Sequence, residues 1–525
     1  MEKVNHWSPG AAGSPEKELS PAVVDVENEK DPLDMSQYKM GKVIERPPTK
    51  TGLLMKKWGL PASIICFVLF SFIFNFESLD QKAQYMLGLF VACIVLWVTE
   101  SIPNYLTSIA LIVSVILLDI VSQKAALSVL GHQIIWLNIA AFILASALVK
   151  TKLAERVALL FIVKYGRNSG SIFLSFIAVN LILSAFINAT AAKAALLMPI
   201  FMVVSAVYGA SGTKTNNFAR NLILHNLLMI NAGCNAFLTG SGANLVAAGM
   251  MVGAGASLYY FDWLLAGLPI TIALGIFTYI IGVKFIFPLT KEDEQPKLEG
   301  GMDSIKSALD GLGKIQWNEI KAAIIFLTVL AFWATDKLHG VHPTMIALIG
   351  SIVMLAPQTK LITWNDVDLP WHLLIFSAGA YAIGAGLKET QIMEIAITNM
   401  MNAMGMESMS YFSLYTILTG IFIASHWIFQ SKTMRTVIFI PIVIGIAQAM
   451  EYDILSLALP VALCINVCWT FPFNSKPAAL LYGTNKYTMG ETWRYGLWTS
   501  IFTWLLMLVA GQTWLVWIGI SPGFF

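Results

Sequence analysis

From residue 53 onward the chain is a near-continuous series of apolar stretches, separated only by Gly, Pro and short polar turns. A helix needs roughly 20 mostly apolar residues to cross a bilayer, and these stretches supply that length again and again. Composition agrees, with 57% hydrophobic and 12% charged residues, about half the charge of a soluble domain. The apolar runs lack the period-2 alternation of barrel strands. The predicted class is therefore an all-α polytopic membrane protein. With 33 Lys and Arg against 31 Asp and Glu there is no basic footprint for nucleic acid, so charge has to be read by position.

Residues 1–52 are polar and aperiodic, which predicts a disordered tail. Spans are expected to begin near Leu60, Tyr85, Ser108, Ile134, Leu222, Trp263, Ala322, Thr344, His372, Leu455 and Gly496. Two further stretches, at about 171–206 and 411–448, are interrupted midway by polar residues and reach Pro199 and Pro441. Each is either one long span or two half-helices meeting at a tip, and the polar middle suits the second, a re-entrant hairpin. The expectation is thus about 11 transmembrane helices plus two hairpins, divided into 53–290, a cytoplasmic linker at 291–316, and 317–525. On this count Lys56, Lys57, Lys164, Arg167, Lys214, Arg220, Lys291, Lys297, Lys360 and Arg494 share one side, against Lys82, Lys124 and Lys337 on the other. Positive residues mark the cytoplasmic side, so the amino terminus is expected inside and the carboxyl terminus outside a plasma or inner membrane. The five cysteines lie in apolar surroundings and read as core side chains.

The chain also repeats itself. Trp97 to Glu100 recurs as Trp333 to Asp336, and Ile109 to Ile112 as Ile346 to Ile349. Phe142 to Thr151 resembles Tyr381 to Thr390, Asn188 to Thr190 answers Ser431 to Thr433, and Gly240 to Asn244 answers Asn474 to Ala478. Order is kept throughout. If each copy holds an odd number of spans the two have opposite orientations, the inverted repeat of secondary transporters.

The polar breaks carry the chemistry. They fall at Ser184 to Lys193, Gly240 to Asn244, Gln430 to Arg435 and Asn474 to Pro477. Half-helix N-termini present unpaired N–H groups and partial positive charge. Together with Lys193, Lys432, Arg435 and Lys476, and with no Asp or Glu at membrane depth, this predicts an anionic ligand. Lys432 and Lys476 sit inside the breaks and read as functional; Lys193 and Arg435 lie beyond the tips and either take part, or snorkel or pair with backbone carbonyls. His132, His225, His372 and His426 lie near span ends and read as interfacial or hydrogen-bonded side chains. Glu100 and Asp336 read as helix-terminal residues.

At these residues the chain resembles the divalent anion:sodium symporter family, which takes up citrate, succinate, malate and related di- and tricarboxylates and, in some branches, sulfate. Asn474 to Thr484, continuing through Arg494 and Gly496, resembles the family's Gly-Thr-Pro-Pro-Asn-Ala signature with its Phe/Tyr-Gly-Ser/Thr step and its basic residue before Gly. Gly240 to Asn244 matches the first-repeat copy. Asn188-Ala189-Thr190 and Ser431-Lys432-Thr433 match imperfectly the Ser-Asn-Thr hairpin tips. The resemblance implies a homodimer of scaffold and transport domains working as an elevator. It also implies substrate contacts from Asn188, Thr190, Ser431, Lys432, Thr433, Ser475, Lys476 and Pro477, and two sodium ions behind the tips. Sodium ligands in that family are tip side chains and carbonyls of the loop facing each tip. Here Ser184, Asn188, Gly240 and Asn244 are the candidates for a first cation site. At the second site an ammonium from Lys432, with Lys476 opposite, would fill the space and repel the ion. Sodium-independent exchange of carboxylate anions is therefore expected, with sodium- or proton-coupled carboxylate or sulfate symport as the alternative and no other cofactor. An intramembrane enzyme would need a nucleophile with its base or a metal set, and the breaks offer neither. A channel could use the lysines as an anion filter, but paired hairpins suit alternating access better.

Overall fold

The computed structural model describes residues 31–38, 50–74, 76, 79–166, 168–298, 301–392, 395, 409–429 and 431–524. Most of the expected tail, Arg167 and Gln430 lie outside them. Every regular element among the described residues is a helix. The first half runs through α1 (Lys50–Val68), α2 (Gln81–Thr99), α3 (Asn104–Leu117), α4 (Gln123–Ser128), α5 (Gln133–Lys150), α6 (Leu153–Tyr165), α7 (Ser169–Phe186), α8 (Thr190–Val207), α9 (Asn217–Ala232), α10 (Gly242–Gly253) and α11 (Tyr260–Ile281). The second half runs through α12 (Gly301–Gly311), α13 (Trp317–Ala334), α14 (Asp336–His339), α15 (Pro343–Leu355), α16 (Trp371–Glu389), α17 (Tyr411–Ala424), α18 (Lys432–Ala449), α19 (Ile454–Ala462), α20 (Lys476–Tyr482) and α21 (Met489–Gln512).

Among the described residues eight helical segments are long and apolar enough to cross a membrane. Two of them are α8 and α18, the second arms of the expected hairpins. The spans expected near Ser108 and Thr344 are the shorter apolar helices α3 and α15. Those near Leu222 and Leu455 stop early because the chain leaves α9 at Ala232 and α19 at Ala462 to form two irregular loops, each re-entering a helix at a serine cap. An unwound backbone at this depth persists only where protein or water satisfies it, so these loops mark the interior site.

The repeat is visible in the packing. α3 lies against α16, while its repeat partner α15 lies against α5, the partner of α16. Ser108 Oγ donates to the Phe376 carbonyl at 3.4 Å across the first contact, and Ser351 Oγ to the Ala140 carbonyl at 3.2 Å across the second. In the same crossed manner α10 packs on α18, and α20 on α8. Crossed pairing of this kind is what a two-fold relation between the halves produces.

The hairpins set the register more finely than their tip sequences do. α8 and α18 each have 18 residues, with a basic residue fourth (Lys193, Arg435) and proline tenth (Pro199, Pro441). Counted this way Ala189 corresponds to Ser431, and Thr190 to Lys432, one residue away from the pairing of tips suggested by sequence. Helix start and proline fix a register because each removes a particular backbone hydrogen bond. Within the hairpins the arms meet edge-on through Phe176 and Phe201, and through Phe422 and Phe439.

Residues 31–38, expected to belong to a structureless tail, instead fold against α8 and α12. Tyr38 is 1% exposed and its hydroxyl donates to the Pro32 carbonyl at 3.0 Å. Ser304 of α12 donates to the Leu33 carbonyl. The reason is local: Leu33, Met35 and Tyr38 give a short polar segment three apolar anchors. In the linker, the N–H groups of Lys297 and Leu298 cap the Val207 carbonyl at the end of α8. Connections carrying the expected cytoplasmic charges also touch one another: Arg220 pairs with Glu491 at 2.6 Å, and Thr215 donates to the Lys486 carbonyl at 2.6 Å.

Candidate functional site

Four helices begin at the polar breaks: α8 at Thr190, α10 at Gly242, α18 at Lys432 and α20 at Lys476. Ser241, Ser431 and Ser475 cap three of them, each accepting the N–H three residues on, from Asn244, Met434 and Ala478. Ala189, at the start of α8, has no side chain that can cap, so the first-turn N–H groups there stay available to an acceptor.

The loop facing tip 1 is held by Asn244. Its Nδ2 donates to the carbonyls of Cys234 at 2.9 Å and Phe237 at 3.0 Å, and its Oδ1 accepts from Ser241 Oγ at 2.9 Å. Gly240 is required here, since a Cβ would stand 2.3 Å from the Cys234 carbonyl oxygen. Asn466, in the loop facing tip 2, reaches across to this one. Its Nδ2 donates to Asn235 Oδ1 at 2.7 Å and Asn244 Oδ1 at 3.0 Å, while its Oδ1 accepts from Lys432 Nζ at 2.9 Å. One asparagine therefore ties the second tip to both facing loops. Cys468 Sγ adds a bond to Asn231 Oδ1 at 3.3 Å, and Ser475 Oγ one to the Cys468 carbonyl at 3.1 Å.

Behind each tip stands a fully buried cation. Lys193 Nζ donates to Ser184 Oγ at 2.7 Å and to Cys234 Sγ at 3.1 Å. Arg435, its register partner, donates to the carbonyls of Phe422 (3.1 Å), Ile465 (2.7 Å) and Val467 (2.9 Å), and to Ser425 Oγ at 3.3 Å. Both cations take a hydroxyl from the first arm of their own hairpin and an acceptor from the loop facing the tip. Neither snorkels, since both are 0% exposed; Arg435 pairs mainly with backbone carbonyls, the other alternative open from sequence. His426, beside Arg435, is also buried, with Nε2 2.6 Å from Thr470 Oγ1 and its carbonyl accepting from Asn474 Nδ2 at 2.7 Å.

Of the residues expected from sequence, Ser184, Gly240, Asn244, Ser431, Lys432 and Ser475 enter this network. Ser184 of the first cation set is already engaged by the Lys193 ammonium, and Asn244 has both amide atoms satisfied within the loop. Asn188 is 9% exposed with neither amide atom paired, facing a small void bounded by Ala141 and Leu144 of α5 and by Phe326 and Trp333 of α13. Thr190 and Thr433 are partly exposed at the tips, Lys476 is exposed in the first turn of α20, and Pro477 is buried beside it. While Lys193 and Arg435, left open by the sequence, join the network, Asn466, Asn235 and Cys234 are absent from the expected site. An Asn inside a span is the signal for two of them, since an amide at that depth is retained only where it has work.

The buried acids lie elsewhere. Glu319 pairs with Arg156 at 2.5 Å, and Asp336 accepts the N–H of Tyr260 at 2.7 Å at the start of α11. Among the described residues the network around the tips thus contains cations and amides without a carboxylate. Such a site stabilises an anion.

Comparison with known proteins gives the same direction. Residues 54–521 match the family described as the sodium:sulfate symporter transmembrane region. The chain is similar to a membrane protein of Cupriavidus necator, 25% identical over 484 residues, covering 88% of this chain and 93% of that one. It is also similar to the sodium-dependent dicarboxylate transporter SdcS of Staphylococcus saprophyticus, 25% identical over 473 residues, covering 85% and 88%. Among solved structures the YdaH transporter of Alcanivorax borkumensis aligns over 90% of this chain and 99% of that chain, with a TM-score of 0.49 and 12% identity.

Proposed function

Because the chain belongs to the sodium:sulfate symporter transmembrane family, and so is a transporter rather than an enzyme, we propose that it exchanges divalent organic anions across the membrane without sodium. The substrates are di- and tricarboxylates such as succinate, malate and citrate. The substrate class is supported by the dicarboxylate transporters among the relatives and by a polar network that holds cations and no acid. Thr190, Thr433 and the uncapped start of α8 receive the carboxylates, with Lys432 and the exposed Lys476 adding charge. The protein works as a homodimer whose hairpin-bearing part moves as an elevator, with the amino terminus cytoplasmic.

One observation carries the coupling mode. Lys193 and Arg435 stand behind the tips, bonded to a first-arm hydroxyl and to acceptors of the facing loop. A sodium ion placed there would meet a fixed cation at contact distance and find its oxygen ligands already taken. The SdcS relatives are sodium-dependent; in this chain the protein's own side chains supply the charge that sodium would bring. A sodium ion leaves an empty carrier, but a side chain cannot. The empty carrier would cross with uncompensated positive charge, at a cost of about 3 kcal/mol or more per charge, so return is fast only with an anion bound.

The experiment is uptake of labelled succinate into proteoliposomes that are either empty or loaded with unlabelled dicarboxylate, with choline or sodium outside. Uptake that requires internal dicarboxylate and ignores sodium is the expected result. Sodium-driven uptake into empty vesicles would overturn the exchange reading, and uptake driven by an inward proton gradient alone would replace it with proton symport.

A further inference from the structure

A cavity of about 460 Å3 lies away from the hairpin tips, between the α4 turn and α16 on one side and α10 and α18 on the other. Its wall residues on α10 and α18 begin at Gly249 and Pro441. At 1.5 Å per helical residue these stand roughly 10 Å or more from the N-terminal ends of their helices. The volume is that of a small-molecule site.

Small and apolar residues form most of its lining, with a few polar side chains among them. Gly253 and Gly384 face it with no atom within 4 Å of where a Cβ would stand. Tyr381 forms part of the wall: its ring stacks on His132 at 4.4 Å and its hydroxyl donates to the Leu245 carbonyl at 3.3 Å. His132 Nδ1 accepts the Ile134 N–H at 3.3 Å, which leaves Nε2 as the proton-bearing nitrogen. Lys388, Gln391, Gln448 and Ser128 complete the polar set, and among the described residues no Asp or Glu lines the cavity. An apolar chamber with one ammonium and several neutral donors matches a molecule with an apolar body and a single anionic head.

We propose that this cavity is a second ligand site, distinct from the dicarboxylate site, for a single-tailed carboxylate amphiphile whose head pairs with Lys388 and His132 and whose tail lies over Gly253 and Gly384. The ligand bridges α10 and α18, which carry the hairpin network, to α16, which packs chiefly on α3. On the elevator reading, which proposes relative movement of these groups, a bound amphiphile slows transport without competing with substrate. The binding claim stands apart from that reading.

The test uses a photoactivatable decanoate on the purified full-length protein, with labelled peptides mapped by mass spectrometry. Labelling is expected on 125–132, 249–254, 384–391 and 441–448, displaced by decanoate, poorly displaced by decyltrimethylammonium, and untouched by saturating succinate. Lys388→Gln should weaken displacement by roughly tenfold, the loss of one charge-assisted hydrogen bond. Gly384→Leu should abolish labelling by filling the chamber, with succinate binding retained as proof of folding. Labelling that maps elsewhere, that is equal for the cationic amphiphile, or that survives both substitutions overturns the site. Displacement by succinate would put the probe at the tips and overturn it too. Labelling as expected with no effect on exchange keeps the site and counts only against the elevator reading.

Discussion

The ammonium of Lys193 donates to the hydroxyl of Ser184 at 2.7 Å, reaching back across the tip to the arm that precedes it. Ser184 Oγ in turn donates to the Asn180 carbonyl at 2.7 Å, so its lone pairs are left to the lysine. Lys193 therefore closes hairpin 1 on itself and fills the space where the first cation would be expected.

Removing the amine should open that space. Lys193→Ala is expected to lose most exchange in choline, because the substrate loses a compensating charge, and to regain part of it in sodium. Initial rates in the two salts check this. An Ala variant that is equally inactive in both, yet still binds succinate, would count against the amine standing in for sodium.

Arg435 makes the stronger case for structure. Arg435→Leu orphans the buried carbonyls of Ile465 and Val467 at about 1–3 kcal/mol each, while Ser425 and the Phe422 carbonyl keep their bond to each other; loss of fold in detergent, read as a collapsed melting transition, is the expected outcome. Arg435→Lys keeps the charge but cannot span the same fork of acceptors. It should fold with a lowered melting temperature and retain sodium independence. A sodium-requiring Arg435→Lys protein would show that guanidinium geometry, not charge, matters.

Much of this architecture is legible in the residues. The two hairpins, the paired breaks and the cation-only character of the site all follow from where polar residues interrupt apolar runs. The register is not, because Asn188-Ala189-Thr190 and Ser431-Lys432-Thr433 look alike at the tip while the helix starts and prolines align one residue away. Asn466 escapes a sequence reading because a single amide in Ile465-Asn466-Val467 gives no periodic signal. Its importance comes from three partners on separate segments, Lys432, Asn235 and Asn244. The packed segment at 31–38 reads as tail because eight residues with three anchors fall below any window that detects a helix.

Asn466→Leu preserves approximate volume but removes three bonds at once: Asn235 Oδ1 is orphaned in the interior, Asn244 Oδ1 keeps only Ser241, and Lys432 turns to solvent. The orphaned amide oxygen costs about 1–3 kcal/mol and two further bonds are lost, so thermal stability should fall by several degrees and more than for Asn235→Leu, which removes one bond. Equal melting shifts for the two variants would show that Asn466 is not the junction of the network.

Thr190 and Thr433 sit in the first turns of α8 and α18, where a hydroxyl can add a hydrogen bond to a carboxylate already facing N–H groups. Replacing either by Ala should weaken succinate binding by about 1–3 kcal/mol, the loss of one bond to a charged acceptor. A monocarboxylate such as lactate, which engages one end only, should bind far more weakly than succinate to the unaltered protein. Calorimetry on the variants with both ligands decides the matter: unchanged affinity in both removes the threonines, and equal binding of lactate and succinate removes two-ended recognition.

Lys432→Asn separates the cation proposed to face the substrate from those behind the tips. Lys432 is partly exposed and bonded at 2.9 Å to Asn466, whereas Lys193 and Arg435 are fully buried. Lys432→Asn gives up the bond from Nζ to Asn466, but position 432 is partly exposed, so the protein should still fold with a modest loss of stability. It removes one positive charge from the substrate side, which weakens binding of the dianion. It also lowers the charge that an empty carrier takes across the membrane, a cost of about 3 kcal/mol on the most lenient scale. Apparent affinity for succinate should therefore fall while uptake into empty vesicles rises relative to exchange. If Lys432 rather than Lys193 or Arg435 is the residue that excludes sodium, the same variant gains sodium stimulation. Retained obligate exchange with unchanged affinity would place Lys432 outside both the substrate site and the charge balance of the empty carrier.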